Sequence, residues 1–418
     1  PFNNIFEMWL SGDHYKWRLM RNYGIKEELI TGNASSKDKF VEWCSIYPNL
    51  VNNPLYIWSQ VELETVFNIK LAINRKNAIK IYTLANAYLK KHVVTPKYLL
   101  KLFKVEKACP CMSLTDDITH FKRNDIVTPS LRGDNILLPT KAFINSLAKL
   151  TKVKINNLDT YLKALKVRIK AFRDVGCVFS DHALDNNFLY LSDDKKNNNR
   201  FLNLIKDKPL SKLDKTYLSS YILFSLMGIY KDNDMVVQLH IGAERFTSSR
   251  LRELAGAAGG FATIGNSVNV KSLTTFFDEV EKHFKRLPKI VLFTLNPSDN
   301  ELLATLSGSY ACDNVNGLIT LGPAWWWCDH KYQIEKVLDA ISNFSLLVNF
   351  IGMTTDSRSF LSLVRHDYFR RVLSSYLANK INNKELPYNK EDLSNLIKKV
   401  CYLNANKLFK ENHHVIKK

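Results

Sequence analysis

From residue 104 onward, short apolar segments with many β-branched residues alternate with helical patterns. The apolar segments have the length of strands, and apolar residues with helical spacing separate most of them, for example at 158–173, 273–284 and 334–342. Such alternation predicts parallel strands joined by crossover helices. We expect strands at 105–114, 125–131, 176–180, 235–241, 289–295, 317–321 and 347–353.

Polar residues follow most of these predicted strands. Arg132, Asp181, His240 and Asp356 stand at or just after the ends of four of them. In a (β/α)8 barrel the active site lies at the carboxyl ends of the strands, whereas an open doubly wound sheet gathers its functional groups at one switch point. The sequence therefore predicts an α/β fold, a TIM-type (β/α)8 barrel. The pattern provides seven strands where a closed barrel has eight, so the first strand either lies upstream of Pro1 or has escaped detection.

The first hundred residues have a helical pattern instead. Aromatic and aliphatic residues recur at spacings of three and four through 37–43 and 78–89. We therefore expect three parts. A mostly helical region spans 1–103, a barrel that carries the active site spans 104–410, and a polar tail with His413 and His414 spans 411–418.

Composition and charge exclude several classes of protein. With 46% hydrophobic and 24% charged residues, the chain has an ordinary globular balance. It contains neither a membrane-spanning apolar run nor a visible secretion signal. Seven cysteines, several within apolar runs, favour buried thiols in a reducing cytoplasm. The net charge of +19 admits a nucleic-acid partner, but it is spread along the chain, so we expect no nucleic acid and no membrane as partners.

A first cluster of polar residues, DHYKWR at 13–18, lies near the start of the chain. Four ionisable or hydrogen-bonding side chains in succession are not expected to face a core together. Some of them should therefore face solvent or a ligand, and His14 and Tyr15 are candidates for the site. The alternative is an exposed helix start with Asp13 as its cap.

Two further clusters follow predicted strands. In QLHIGAER (238–245), His240 ends a strand and is either a pocket residue or a hydrogen-bonded core histidine, while the cation of Arg245 suits an anionic substrate. In TTDSRSF (354–360), Asp356 is placed to bind a divalent metal or to act as a base, and Arg358 to clamp a carboxylate. The alternative is an Asp–Arg pair that caps the next helix.

Three weaker patterns carry structural expectations. Cys109 and Cys111 have no second thiol pair or nearby histidine, so we expect no zinc site there. The glycine-rich segment 256–260 lacks the spacing of a phosphate loop and is expected to form a mobile loop over the site. The segment 365–371 is expected in the helix after the last strand, with its rings packed and its charges solvated.

Several strings together resemble one known family. They are DHYKWRLMR (13–21), NPLYIW (53–58), SDHAL (180–184), QLHIGA (238–243), LNP (295–297), GMTTDSRSFLS (352–362) and RHDYFRR (365–371). In this order, from residue 1 to about 410, they are similar to the motifs of uronate isomerase, also called glucuronate isomerase. That family belongs to the amidohydrolase superfamily of (β/α)8 barrels, in agreement with the strand-end argument.

The resemblance implies a reversible aldose–ketose isomerisation of hexuronates, D-glucuronate to D-fructuronate and D-galacturonate to D-tagaturonate, through an enediol. It implies that Asp356 is the metal-side carboxylate and proton acceptor, and that Tyr15 and His14 complete the catalytic group. It also implies a divalent metal, commonly zinc. The implied substrate-binding residues are Arg132, Asp181, His240, Arg245, Trp325 or Trp326, and Arg358.

The sequence departs from the family's pattern at its beginning. The family carries a His-x-His on its first strand, upstream of the segment that resembles 13–18, and no such pair is present after Pro1. We therefore expect either a fragment or a truncated, inactive homologue, with doubtful metal occupancy. An unpaired strand flank would also favour self-association. The alternative activity is that of a metal-dependent hydrolase of the same superfamily, which would use the same barrel and Asp356.

Overall fold

The computed structural model describes residues 1–411, so the polar-tail residues His413 and His414 lie outside the described part. The architecture is α/β, and its central element is a six-stranded parallel sheet flanked by helices. This sheet is consistent with the expected TIM-type barrel. In the described residues it is open between its first and last strands.

The sheet has the order β1-β2-β3-β4-β7-β8, and all its neighbouring strands are parallel. The two inner strands β4 and β7 pair over six residues, from Val236 opposite Lys289 to Ile241 opposite Thr294. Two short antiparallel strands, β5 and β6, lie in the connection between β4 and β7 and were not predicted. The strands are β1 Cys111–Ser113, β2 Ser130–Arg132, β3 Phe179–Ala183, β4 Val236–Ile241, β5 Ala243–Glu244, β6 Thr263–Ile264, β7 Lys289–Thr294 and β8 Ile319–Leu321.

Helices cover the first hundred residues and connect the sheet strands, and the predicted helical patterns fall within them. The α-helices are α1 Ile5–Trp9, α2 His14–Asn22, α3 Ser36–Ile46, α4 Pro54–Phe67, α5 Arg75–His92, α6 Pro96–Leu102, α7 Lys141–Thr151, α8 Leu158–Asp174, α9 Asn197–Ile205, α10 Lys212–Asp232, α11 Ser249–Ala255, α12 Val270–Phe284, α13 Asn300–Ser309, α14 Lys331–Phe344, α15 Arg365–Asn382, α16 Lys390–Lys398 and α17 Asn404–Glu411. Short 3-10 helices lie at Glu27–Leu29, Tyr47–Asn49, Thr119–Arg123, Pro297–Asp299, Trp326–Cys328, Leu347–Asn349 and Phe360–Val364, and a π-helix at Lys399–Leu403. Among the described residues, no helix is both long and apolar enough to cross a bilayer.

Side-chain caps explain where several of these helices begin. The Asp13 carboxylate accepts the backbone N–H groups of Tyr15 and Lys16 at 3.0 and 3.2 Å, which starts α2. The Asn157 side chain accepts the backbone N–H of Thr160 at 2.8 Å in a capping box that starts α8. Each cap satisfies backbone donors that have no partner inside the helix.

Buried apolar side chains form two clusters. One lies between the sheet and its surrounding helices, and the other lies among the helices of the first hundred residues. Trp326 and Trp327, which follow β8, pack against both clusters. The helical region is thereby docked on the carboxyl end of the sheet, where the predicted site residues lie.

The strand predicted at 347–353 is wrong. Leu347–Asn349 is a turn of 3-10 helix, and the residues that follow pair with no strand among the described residues, with Gly352 at a φ of 75°. The Asn404 side-chain amide donates to the carbonyl oxygens of Val348 and Phe350, both at 2.8 Å. These carbonyls are therefore satisfied by a side chain of α17 rather than by a neighbouring strand.

Candidate active site

Two of the predicted residues form a close pair on neighbouring strands, with Asp181 in the middle of β3 and His240 next to the last residue of β4. His240 Nδ1 lies 2.6 Å from Asp181 Oδ1. Burial alone would raise the pKa of Asp181, but the charge and hydrogen bond of His240 outweigh it, so this pKa is lowered and the carboxylate is favoured. The His240 ring stacks on Phe293 at 4.8 Å and lies 4.7 Å from the Trp325 ring. The parallel register of β3 and β4 thus brings an acid, a histidine and an aromatic wall together.

Asp356 lies at the same end of the sheet and is exposed to solvent. Its Oδ2 accepts the indole N–H of Trp325 at 2.8 Å. Its backbone has a φ of 37°, in the left-handed region that non-glycine residues rarely adopt. Backbone of this kind persists where surrounding contacts hold it, and it is found most often at functional sites.

Two of the three predicted guanidinium groups are held by neighbouring carboxylates. Arg132 Nε donates to Asp134 Oδ2 at 2.7 Å, and Arg245 Nε donates to Asp185 Oδ1 at 2.6 Å. The Arg245 guanidinium also lies over the Trp326 ring, 5.0 Å from its centroid. Each cation is therefore paired with a carboxylate near the carboxyl end of the sheet, and the Arg132 pair is about half exposed.

Arg358 is held by backbone oxygens instead. Its Nη1 donates to the carbonyls of Gly12 and Ala258, both at 3.2 Å. Partial burial lowers the pKa of Arg358. The nearby charge of Asp356 opposes this effect but does not outweigh it. Ala258 belongs to the glycine-rich segment 256–260, which lies against α2, where the Gly260 backbone approaches that of His14. Arg358 therefore links this loop to the site.

His14 and Tyr15 enter the site from α2. Both ring nitrogens of His14 are buried without a hydrogen-bond partner among the described residues. Burial, aided by the charge of Arg358, lowers the pKa of His14 to about 4, so the imidazole is neutral near pH 7. Burial also holds the pKa of the Tyr15 phenol well above its usual range, and the charge of Asp356 adds to this effect. The phenol is therefore a donor, and Asp356 lies close enough to influence both rings.

The alternative of an exposed helix start at 13–16 is wrong in its exposure, although Asp13 does cap α2, and the placement of His14 and Tyr15 towards a ligand stays a prediction. Asp13, His14, Tyr15 and Lys16 are all buried, and Lys16 is only 2% exposed. Lys16 Nζ forms an ion pair with Asp13 Oδ2 at 2.7 Å and lies 5.6 Å from the centroid of the Trp43 ring. Because the two charges neutralise each other, both side chains can be buried together.

Sequence reasoning missed three residues of this site. Arg365 was assigned to a helix with solvated charges; the helix α15 is confirmed, but the Arg365 side chain is buried. Asp329 lies near it, and burial raises its pKa to about 7. Cys111, at the start of β1, is exposed as a residue, but desolvation of its thiol raises its pKa to about 12, and the charges of Asp181 and Asp356 add to this effect. The only sequence signal for these residues was their position. Cys111 lies near the end of the strand predicted at 105–114, and Arg365 follows the segment 354–360 that contains Asp356.

The side chains present do not form a complete metal site by themselves. Among residues 1–411, no group of three or more histidine, cysteine, aspartate or glutamate residues is arranged to hold an ion. Asp356 offers one carboxylate, which already accepts the Trp325 indole N–H, and Asp181 is hydrogen-bonded to His240. Structural and catalytic zinc sites use at least three protein ligands. These residues therefore do not fit a divalent metal without further ligands.

Comparisons with known proteins agree with this geometry. The family model of glucuronate isomerase matches residues 1–409. The uronate isomerase of Clostridium perfringens is 37% identical over 98% of this chain and 90% of its own length. The solved uronate isomerase of Thermotoga maritima is 28% identical, with a TM-score of 0.89 over 98% of this chain and 90% of that one. The solved glucuronate isomerase of Caulobacter crescentus is 21% identical, with a TM-score of 0.88 over 98% and 88%, and supports the fold. By the extent of these matches, the chain belongs to the uronate isomerase family.

Proposed function

We propose that this chain interconverts D-glucuronate and D-fructuronate, and D-galacturonate and D-tagaturonate, by proton transfer between C2 and C1. Membership of the uronate isomerase family gives the enzyme class and a hexuronate as substrate. The observation that carries the detailed proposal is the Asp356 carboxylate, exposed and held by the Trp325 indole at one end of the sheet. The neighbouring guanidinium groups suit an anionic sugar acid.

Asp356 is the proton acceptor in this proposal. It removes the proton from C2 of the open-chain aldose, the C–H electrons form the C1–C2 double bond, and the electrons of the C1–O1 π bond move to O1. The same carboxyl group then returns the proton to C1, and the proton of the O2 hydroxyl passes to O1, so that O2 becomes the ketose carbonyl and O1 the hydroxyl on C1. A base held beside the reacting carbon contributes about 100- to 10,000-fold to such a transfer.

Tyr15 assists at the adjacent oxygen, and His14 lines the same wall of the pocket. Because the pKa of Tyr15 is held well above its usual range by burial, its phenol keeps its proton near pH 7 and donates a hydrogen bond to the developing oxyanion. His14, with a pKa of about 4, contributes a neutral ring. The ring centroids of His14 and Tyr15 are 4.6 Å apart, which supports a joint role at one substrate oxygen.

Arg132, Arg245 and Arg358 bind the substrate carboxylate and hydroxyl oxygens in this proposal. Each guanidinium has five N–H donors, and its hydrogen bonds within the described residues use only one nitrogen. Donors therefore remain for a planar carboxylate, which guanidinium groups bind in a bidentate manner. Asp181, His240 and Trp325 or Trp326 would then contact the sugar ring or its hydroxyls.

A divalent metal, zinc by family resemblance, would supply polarisation of a substrate oxygen when bound. Asp356 is the one protein ligand that we propose for it, and the described side chains do not complete the set. The steps above therefore use only the side chains of this chain. We also propose a cytoplasmic location, supported by seven free cysteines.

The test is turnover of D-glucuronate by the purified chain, followed by NMR of the ketose product. We expect isomerisation in the wild type and its loss in Asp356→Asn, which keeps the shape of the side chain but removes the base. Asp278→Asn is the matched control, because Asp278 accepts a hydrogen bond from Lys282 on the outer face of α12 and should not affect turnover. Unchanged turnover in Asp356→Asn would contradict its role, and hydrolysis of lactones or amides without isomerisation would favour a hydrolase.

A further inference from the structure

Arg365 is a fully buried cation directly beneath the candidate site. It is 1% exposed and packs between two aromatic rings, 4.0 Å from the Trp58 centroid and 5.1 Å from that of Tyr15. The nearest carboxylate oxygen, Asp329 Oδ2, lies 3.7 Å from Nη1, beyond hydrogen-bond distance. An arginine cannot become neutral inside a protein. Removing this charge from water costs free energy. Its burial therefore indicates that Arg365 either holds a neighbouring group in place or is neutralised by the groups around it.

The acceptor that Arg365 does reach belongs to the segment that carries Asp356. Its Nη1 donates to the carbonyl oxygen of Thr355 at 3.1 Å. Residues 351–358 form no strand among the described residues. Within the described part of the chain, their backbone N–H and C=O groups also make no hydrogen bond to another backbone group. Arg365 therefore supplies the hydrogen bond that anchors the backbone next to Asp356.

Asp356 needs such an anchor because of its conformation. A residue with a side chain in the left-handed region, here with φ of 37°, stays there only when its surroundings fix the backbone. The Trp325 indole holds the carboxylate at one end, and Arg365 holds the preceding carbonyl at the other. The two contacts together fix both the position and the direction of the carboxylate.

The second contact of Arg365 reaches the other proposed proton-handling group. Its guanidinium lies over the ring of Tyr15, and its charge lowers the pKa of that phenol against the larger, raising effect of burial. One side chain therefore touches both the backbone that carries Asp356 and the ring of Tyr15. These two elements are 340 residues apart in sequence, and no other described cation contacts both.

We propose that Arg365 is a positioning residue for the isomerisation, because its guanidinium sets the relative placement of the Asp356 carboxylate and the Tyr15 phenol. This inference rests on the proposed function. A residue that only fills the core would change stability, with no selective effect on the chemical step. A positioning residue changes kcat while substrate binding, which depends on the other arginines, is largely retained.

The experiment compares Arg365→Met with Arg173→Met. Arg173 is likewise buried and donates to a backbone carbonyl, that of Cys177 at 2.6 Å, but at the opposite end of the sheet, before β3. We expect Arg365→Met to lower kcat about 100-fold, the effect of a displacement of about 1 Å in an active site. We expect KM to change by less than about threefold. Arg173→Met should keep the wild-type kcat even where its melting temperature falls.

Chemical rescue separates positioning from simple loss of packing. In Arg365→Ala, millimolar guanidinium chloride should restore part of the lost kcat, because the free ion can occupy the space between Trp58 and Tyr15. The same salt should have no effect on Asp356→Asn. If Arg365→Met does not fold, Arg365→Lys replaces it, and the same selective fall in kcat is expected because a lysine lacks the planar fork.

The possible results distinguish failure of the positioning role from failure of the proposed function. A wild-type kcat in the folded Arg365 variant, an equal loss in Arg173→Met, or no response of Arg365→Ala to guanidinium would overturn the positioning role while leaving the proposed function intact. A wild-type chain that does not isomerise D-glucuronate would overturn both. A selective loss of kcat with guanidinium rescue would establish the role.

Discussion

Replacing Trp325 by phenylalanine removes the hydrogen bond to Asp356 and keeps an aromatic ring in the same place. The lost contact is the indole N–H bonded to Asp356 Oδ2 at 2.8 Å. Hydrogen bonds to charged groups are worth about 1.5–3 kcal/mol. Since Asp356 is exposed and partly screened by water, we take the lower end of that range. At about 1.4 kcal/mol for each tenfold change in rate, kcat/KM should fall about tenfold.

The assay is the initial rate of ketose formation from D-glucuronate over a range of substrate concentrations. The phenylalanine ring should retain most of the contact with His240, whose ring lies 4.7 Å from that of Trp325, so a large rise in KM is not expected. Trp17→Phe is the matched control, because it also removes one indole hydrogen bond, to the Leu10 carbonyl at 2.7 Å. The reasoning fails if Trp325→Phe has the wild-type kcat/KM, or if Trp17→Phe loses as much.

Two further predictions concern stability around β3. Because burial lowers the pKa of His182 to about 4 from 6.5, the unfolded chain binds more protons between these values, and the free energy of unfolding should fall by up to about 3 kcal/mol as the pH drops through them. Urea titrations of His182→Gln should show a flatter pH dependence. Gly133→Ala should lower stability by about 1–3 kcal/mol, since its Cβ would lie 2.2 Å from His182 Nδ1. In thermal melts, Gly308→Ala in α13 should instead be neutral or stabilising, because its Cβ meets no atom within 4 Å.

The inner strands of the sheet could be predicted from sequence because their own residues determine them. The segment predicted at 289–295 is observed as β7, Lys289–Thr294, and the one at 235–241 as β4. Both are apolar runs with a partner on each side. The segment predicted at 105–114 is reduced to the three residues of β1, an edge strand with a single partner. The length of an edge strand depends on how many of its residues pair with the single neighbouring strand. The local sequence pattern contains no information about that pairing.

The error at 347–353 has the same origin. The local sequence is as apolar as that of β4, but a strand forms only where another strand accepts its hydrogen bonds. Here the side-chain amide of Asn404, some fifty residues further along the chain, donates hydrogen bonds to the carbonyl oxygens of Val348 and Phe350. No window of sequence around 347–353 contains that partner.

The candidate site was predictable in its composition but not in its electrostatics. The strand-end rule and the family strings identified Asp181, His240 and Asp356, and the structure brings them to one end of the sheet. Burial was misjudged for Lys16 and Arg365, since charged side chains are assigned to the surface unless their counter-charges are known. The groups that compensate Lys16 are Asp13 and Trp43. Those around Arg365 are Thr355, Asp329 and two aromatic rings. Such compensation is a property of three-dimensional proximity.

Under the proposed function, Arg132 and Arg245 would bind the carboxylate of the sugar acid, and the way in which each side chain is held bears on that role. Arg132 and Arg245 each donate a hydrogen bond through Nε, and within residues 1–411 their Nη groups have no hydrogen-bond acceptor. A guanidinium fixed at Nε has its plane set and its terminal N–H groups directed outward, which is the arrangement that a carboxylate binds in a bidentate manner. We expect Arg245, whose side chain is 22% exposed, to be better ordered before binding than Arg132, whose side chain is 49% exposed. Donors that are already oriented need no reorganisation as charge develops on the enediol, and this is the condition under which electrostatic stabilisation of a transition state is most effective.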